Sequence, residues 1–270
     1  ERFNLRSKID VDVTDRFKAG VNTVFSNATK YDPENAAWFK SYFAVPIMPV
    51  LDPTNTDAQP IPYSNAQNLG YRGTQNPFTD LTFNENRLKI RKILASVYFQ
   101  YEVIPELLDF KTTYSHNYSA LEERYVDLPY TLGNNVERRS SIRRVNNTFS
   151  NQYWDNILTY QNEFGDHDLT VMAGASYRDE ASNGFAATGT DIAGIKLESS
   201  WYLDFADNES FNNNVSEIGR RYYGISYFGR IAYNFDDKYL LYGTFRADGS
   251  SKFTKDPWGY FPSVGAGWVI

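Results

Sequence analysis

Apolar and polar residues alternate along much of this chain with a period of two, the pattern of a β-strand whose two faces meet different surroundings. The clearest case is residues 227–248. Before a short polar turn, Tyr227, Gly229, Ile231, Tyr233 and Phe235 point one way and Ser226, Arg230 and Asn234 the other, with Phe228 the exception. After it, Tyr239, Leu241, Gly243 and Phe245 lie opposite Thr244, Arg246 and Asp248. Near the start, Phe3, Leu5, Ile9, Val11 and Val13 oppose Asn4, Arg6, Lys8, Asp10 and Asp12, and Phe17, Ala19, Val21 and Phe25 continue the apolar face. The pattern returns in Ile93, Ala95, Val97, Phe99, Tyr101 and Val103, then in Leu108, Phe110, Thr112 and Tyr114. It is weaker over 153–161, clean in Leu169, Val171, Ala173, Ala175 and Tyr177, and closes on Val264, Ala266, Trp268 and Ile270. The reading is roughly nine strands.

Short turns fall near residues 14, 105, 165 and 236, and the connections between them are long. Stretches 27–86, 119–147 and 180–220 lose alternation and read as loops; the first carries Pro33, Pro46, Pro49, Pro53, Pro60, Pro62 and Pro77. Loops of that length are uncommon in compact domains and are functional or disordered where they occur. A transmembrane barrel puts short turns at its periplasmic end and long loops outside, a segregation that sandwiches do not keep. Phe17, Tyr101, Phe164, Phe235 and Tyr239 beside the short turns fit an interfacial girdle. The expected fold is therefore all-β, an antiparallel transmembrane β-barrel, with residues 1–270 forming part of one barrel domain. A soluble β-sandwich is the alternative. Both ends of the sequence read as strands in progress, so the chain is expected to be a piece of something longer.

Composition narrows this further. No run of about 18 apolar residues occurs, which excludes a spanning helix but not a barrel, whose strands need only about 9–11 tilted residues. A mean hydropathy of -0.54 is compatible with that. Aromatic residues make up 17%, with 21 Tyr, and suit pleated, half-buried surfaces and membrane interfaces. The net charge of -6 argues against nucleic acid. Without cysteine there is no disulfide framework and no thiolate metal site.

Three motifs then follow in order: YFGRIAYNFDDKYLL at 227–241, RADGSSKF at 246–253 and WGYFPSVGAGW at 258–268. Together they resemble the SusC/RagA-type TonB-dependent transporters of Bacteroidota outer membranes, and the opening Glu1 to Asp10 resembles an early barrel strand of that family. The resemblance implies a plugged barrel of about 22 strands. Its plug domain, TonB box and closing strands are expected to lie outside these residues. It also implies a bacterial outer-membrane location with long loops extracellular and short turns periplasmic, in contact with outer-membrane lipid. The implied partners are a SusD-like lid lipoprotein and TonB-ExbB-ExbD acting through the plug. The implied cargo is an oligosaccharide or peptide nutrient; a siderophore or vitamin receptor is the alternative within transport.

Candidate ligand contacts are aromatics in the long loops: Trp38, Phe39 and Tyr42, with Phe43 beside them, and Trp201 and Tyr202 next to Asp204. Flat apolar rings flanked by hydrogen-bonding groups suit sugar faces or peptide side chains; packing of loops together is the competing role. Arg230, Arg246 and Asp248 fall on the polar face and are expected to line the lumen. Asp248-Gly249 reads as a strand-ending turn. The basic run from Glu137 to Arg144 reads as a solvated face. Asp204, Asp207 and Glu209 offer clustered oxygens but no evident metal geometry, and neither metal nor cofactor is expected. His116 has no serine partner by spacing and His167 sits in an expected periplasmic turn, so no catalytic residue is assigned and an enzyme is not expected.

Overall fold

The structure is a computed structural model that describes residues 1–31, 35–71, 76–207, 209 and 215–270. Nine strands form one antiparallel sheet: β1 (Arg2–Thr14), β2 (Phe17–Tyr31), β4 (Asn84–Ile104), β5 (Leu108–Asp127), β8 (Ser141–Phe164), β9 (His167–Thr190), β10 (Val215–Phe235), β11 (Tyr239–Ser250) and β12 (Trp258–Trp268). Each is bonded to its chain neighbour within the sheet, an up-and-down meander with no crossover. β3 (Ala58–Gln59), β6 (Tyr130–Leu132) and β7 (Asn135–Glu137) make a separate small sheet. The four short turns lie where the pattern puts them, and three of them use positive φ, at Glu106 (62°), at Gly165 (61°) and at Asp236 (56°) with Asp237 (49°). Asn234 Nδ2 donates to Asp237 Oδ1 at 2.7 Å and ties the last of these turns to its strand.

The register carries one face across the whole sheet. Val21 pairs with Val97, Val97 with Tyr114, Tyr114 with Trp154, Trp154 with Tyr177 and Tyr177 with Ile225. Nearer the short turns the same face runs through Tyr101, Phe110, Leu158, Ala173, Gly229, Phe245 and Pro262. Among the described residues no second sheet covers it: Ile231, Leu241 and Phe245 are each about half exposed, as are Phe3, Leu5 and Ile9. Nine strands about 4.8 Å apart, with about ten residues each at ~3.3 Å, give an apolar face on the order of 1,000 Å². Soluble monomers rarely leave more than a few hundred Å² contiguous. A sandwich would bury this face, and the sandwich alternative fails on that point.

Three corrections concern what lies beyond the band. The strands run well past the point where alternation stops: β5 reaches Asp127, β8 begins at Ser141, β9 continues to Thr190 and β10 begins at Val215. The connections are therefore 32–83, 128–140 and 191–214. Alternation reports unlike surroundings, whereas the backbone ladder persists when both faces are polar. β8 and β9 have 24 residues each, more than twice what a bilayer requires. Second, the proline-rich connection is not structureless. It contains α1 (Asn35–Phe43), α2 (Phe78–Phe83) and β3, and β3 pairs with β6 from the next connection. Ala58, Tyr63, Phe83 and Leu132 form a core between them, with Phe83 stacked on Tyr130 at 4.7 Å. Third, Asp248-Gly249 does not end a strand. Gly249 stays in β11 opposite Trp258, and a Cβ there would stand 3.2 Å from the indole ring.

Candidate functional site

The polar face of the sheet supplies one set of candidates. Arg246 Nε donates to both Asp248 oxygens at 2.7 and 2.9 Å, and its NH2 donates to Ser226 Oγ at 3.0 Å. Arg230 shares that face through its partners Thr244 and Met172. Phe228, the exception to alternation, lies there too. Its ring occupies the space a side chain at Gly174 would take, with ring atoms 2.4 and 2.5 Å from a Cβ placed at that glycine, and the Arg246 guanidinium sits over it at 5.5 Å. An aromatic on a polar face thus packs on a neighbouring glycine below and a cation above. Tyr153, Asp155, Ser176 and Arg178 join Arg246 and Asp248 around one open cavity. The charges there are largely matched, and the arrangement suits a polar wall.

The long-loop end supplies the other set. α1 is anchored through Lys40, whose Nζ donates to Asp80 Oδ1 at 2.6 Å and Thr79 Oγ1 at 3.3 Å on α2, with Ala37 buried beside it. That anchoring turns Trp38 (72% exposed), Phe39 and Tyr42 (83% exposed) to solvent. Phe43 supports them, its ring 4.7 Å from Phe39 and 5.0 Å from Tyr42. Asn76 braces the irregular chain beneath by donating to the carbonyls of Val50 at 2.8 Å and Ser64 at 3.3 Å, which satisfies backbone groups that have no ladder.

Trp201 behaves differently. It packs against the cluster of Val126, Ile142 and Ile192, and its Nε1 donates to the Ile195 carbonyl at 2.8 Å. Arg124, only 4% exposed, lies over its ring at 5.1 Å while binding Glu85 and Glu198. Arg144 donates to the Trp201 carbonyl at 3.1 Å and lies over the Tyr202 ring at 5.5 Å. Burial first, then the neighbouring charges of Arg124 and Arg87, hold its guanidinium below its usual range. Trp201 is thus a packing residue that pins the 191–207 segment to the strands, whereas Tyr202 and Asp204 remain exposed. The cavity beside Trp201 is lined by Tyr31, Asp80, Leu81, Glu85 and Val126 and by none of the α1 aromatics.

Arg124 and Glu85 carry this arrangement and were invisible as candidates, because both lie where alternation has stopped. The Glu137–Arg144 run is only partly a solvated face, since Arg144 is half-buried beneath Tyr202. Spacing also missed a partner for His116, whose Nε2 lies 2.9 Å from Ser150 Oγ on the open apolar-side face. His167 joins the short-turn girdle: its Nδ1 lies 2.6 Å from the Tyr233 hydroxyl, with Phe164 and Phe235 around the ring. Among the described residues no group of three His, Cys, Asp or Glu is placed to hold a metal, so Asp204, Asp207 and Glu209 do not converge.

An uncovered apolar face, a polar opposite face and long structured connections at one end are the features of part of a β-barrel wall, and the fold matches that of TonB-dependent receptor barrels. The fold is similar to part of the RagAB peptide importer in its open-open state, with a TM-score of 0.76 at 17% identity over 98% of this chain and 29% of that one. Within the class, the chain resembles the SusC/RagA type. It is 28% identical to TonB-dependent receptor P3 of Formosa agariphila over 99% of its length, and 26% identical to TonB-dependent receptor SusC of Bacteroides thetaiotaomicron over 73%. It spans 26% of the first of these relatives and 19% of the second. No family model matches the chain.

Proposed function

We propose that residues 1–270 are part of the wall of one TonB-dependent receptor barrel in the bacterial outer membrane, and that the whole protein is an active nutrient importer and not an enzyme. The observation that carries this is the continuous apolar face left open by the rest of the chain, backed by a polar face bearing Arg230, Arg246 and Asp248. In this reading the short turns are periplasmic and the long connections extracellular. The polar face lines the lumen, a plug contributed by other residues fills it, and TonB-ExbB-ExbD pulls on that plug. A SusD-like lid lipoprotein closes over the long-loop end.

The cargo we favour is an oligosaccharide, met by the exposed α1 rings of Trp38, Phe39 and Tyr42 with Tyr202 and Asp204 nearer the strands. Peptide remains the alternative, since a peptide importer shares this fold. Isothermal titration of the full-length transporter with its lid, against glycan and peptide pools, tests the choice. Glycan binding should weaken about tenfold in a Trp38→Ala, Tyr42→Ala variant, the loss of roughly one stacking contact or more. Tight peptide binding with no glycan response sinks the glycan assignment and leaves the wall reading standing.

A further inference from the structure

Beyond the apolar band the sheet is not evenly charged. On β4 the positions that share a face with Ile93 and Val97 run Arg87, Lys89 and Arg91, three cations in consecutive outward places directly past the last apolar residue. Arg87 stands opposite Arg124, and Arg124 opposite Arg144, so three guanidiniums also line up across neighbouring strands. Like charges directly opposite are destabilising unless something offsets them. Arg124 is offset by Glu85 and Glu198 and by the Trp201 ring, Arg144 by the Tyr202 ring and a carbonyl, and Arg91 by Glu122 at 2.6 Å. Arg87 and Lys89 make no ion pair among the described residues, although Lys89 stands opposite Glu122, the partner of Arg91, and both are partly exposed. The short-turn end shows the reverse balance, with Asp15, Glu106, Asp166, Asp236 and Asp237 in or beside the turns. In a chain of net charge -6, this concentration of cations runs against the overall composition.

We propose that the column Arg87–Lys89–Arg91 is a lipid-headgroup site that receives the phosphate of an anionic membrane lipid at the long-loop end. The inference rests on the proposed reading of the apolar band as lipid-facing. Same-face residues on a strand are ~6.6 Å apart, so the column presents cations over about 13 Å above the band. An acyl chain lying along Ile93 and Val97 brings its phosphate to the exposed Arg91 and then to the partly exposed Lys89. Arg forks bind phosphate in two-bond geometry and Lys adds a point charge. Charge complementarity therefore favours a phosphate-bearing lipid over a zwitterionic one.

The test uses the full-length transporter in nanodiscs of mixed phosphatidylglycerol and phosphatidylcholine with identical acyl chains, and counts retained lipids by native mass spectrometry. Phosphatidylglycerol should be enriched about tenfold, with about fivefold lost in Lys89→Gln and nearly all lost in Arg87→Gln, Lys89→Gln, Arg91→Gln. The enrichment should fall as salt rises. Heat-shifted migration on gels reports whether each variant keeps its barrel, and Lys89→Gln, which breaks no ion pair, serves if the triple variant does not fold. Unchanged enrichment in Lys89→Gln, or displacement of the lipid by inorganic phosphate at the same concentration, overturns the site and leaves the wall reading intact. Failure of the wild-type protein to insert into the bilayer overturns both.

Discussion

Asp179 and Arg221 show how a single contact reports its surroundings. Arg221 Nε and NH2 donate to the two Asp179 oxygens at 3.0 and 2.6 Å, one position beyond Tyr177 and Tyr223 at the long-loop edge of the band. The Arg221 hydrogen bonds hold the Asp179 carboxyl below its ordinary value. A depressed carboxylate contributes stability that is complete above its unfolded value of about 4 and disappears as pH falls through the lower folded value. The Asp179 carboxyl resonance should therefore titrate below that of an exposed aspartate, and shift upward in Arg221→Gln, where only the opposing effect of burial remains. Identical titration in the two proteins would remove the ion pair from the account. Neither residue was a candidate from sequence: a charge pair on an otherwise apolar face looks like a break in pattern until register brings Asp179 opposite Tyr223.

At the scale of elements, alternation was legible where a strand has one apolar and one polar face, and illegible above that level. Ile231 and Arg230 announce their faces by chemistry. Arg124 and Glu85 do not, because both faces of β4 and β5 are polar there and only the hydrogen-bond ladder continues. The candidate aromatics were visible as residue types, yet nothing in their spacing separated Trp201, which packs, from Trp38, which does not. Phe228 was visible as an anomaly, and its explanation needed Gly174 on β9 to be placed opposite it on β10. Gly174→Val should push the Phe228 ring from its seat and cost about 1–3 kcal/mol, as overpacking does. The unfolding midpoint of the barrel in urea measures this. Adding Phe228→Ala should recover part of the loss, and no recovery would mean that the ring and the glycine are not coupled.

For the whole molecule, the decisive quantity is the ratio of uncovered apolar surface to enclosed core. The buried apolar residues lie mainly at the long-loop end, around Tyr63, Phe83, Val126 and Ile142, while the strands bearing Ile231, Leu241 and Phe245 enclose almost nothing. A soluble protein built this way would aggregate; a membrane wall is stabilised by it. Ile231→Arg, placed on that face, should cost about 2–4 kcal/mol near the bilayer midplane and lower the yield of heat-shifted barrel. Arg230→Gln, one residue away on the opposite face, should leave assembly nearly unchanged. Equal effects from the two would show that the faces are not distinguished by lipid.

The small sheet joins β3 from one connection to β6 and β7 from the next, with the Leu128 amide bonded to the Phe83 carbonyl at 2.7 Å and the Gly133 amide to the Asp57 carbonyl at 3.1 Å. Two segments far apart in the chain therefore share one hydrophobic centre. Residues 32–83 grafted alone onto another barrel would leave Tyr63 and Phe83 without Leu132 and Tyr130, and residues 128–140 grafted alone would lose their third strand. Transfer of this rim to another barrel should accordingly keep its core only when both connections move together, as one unit and not as single loops.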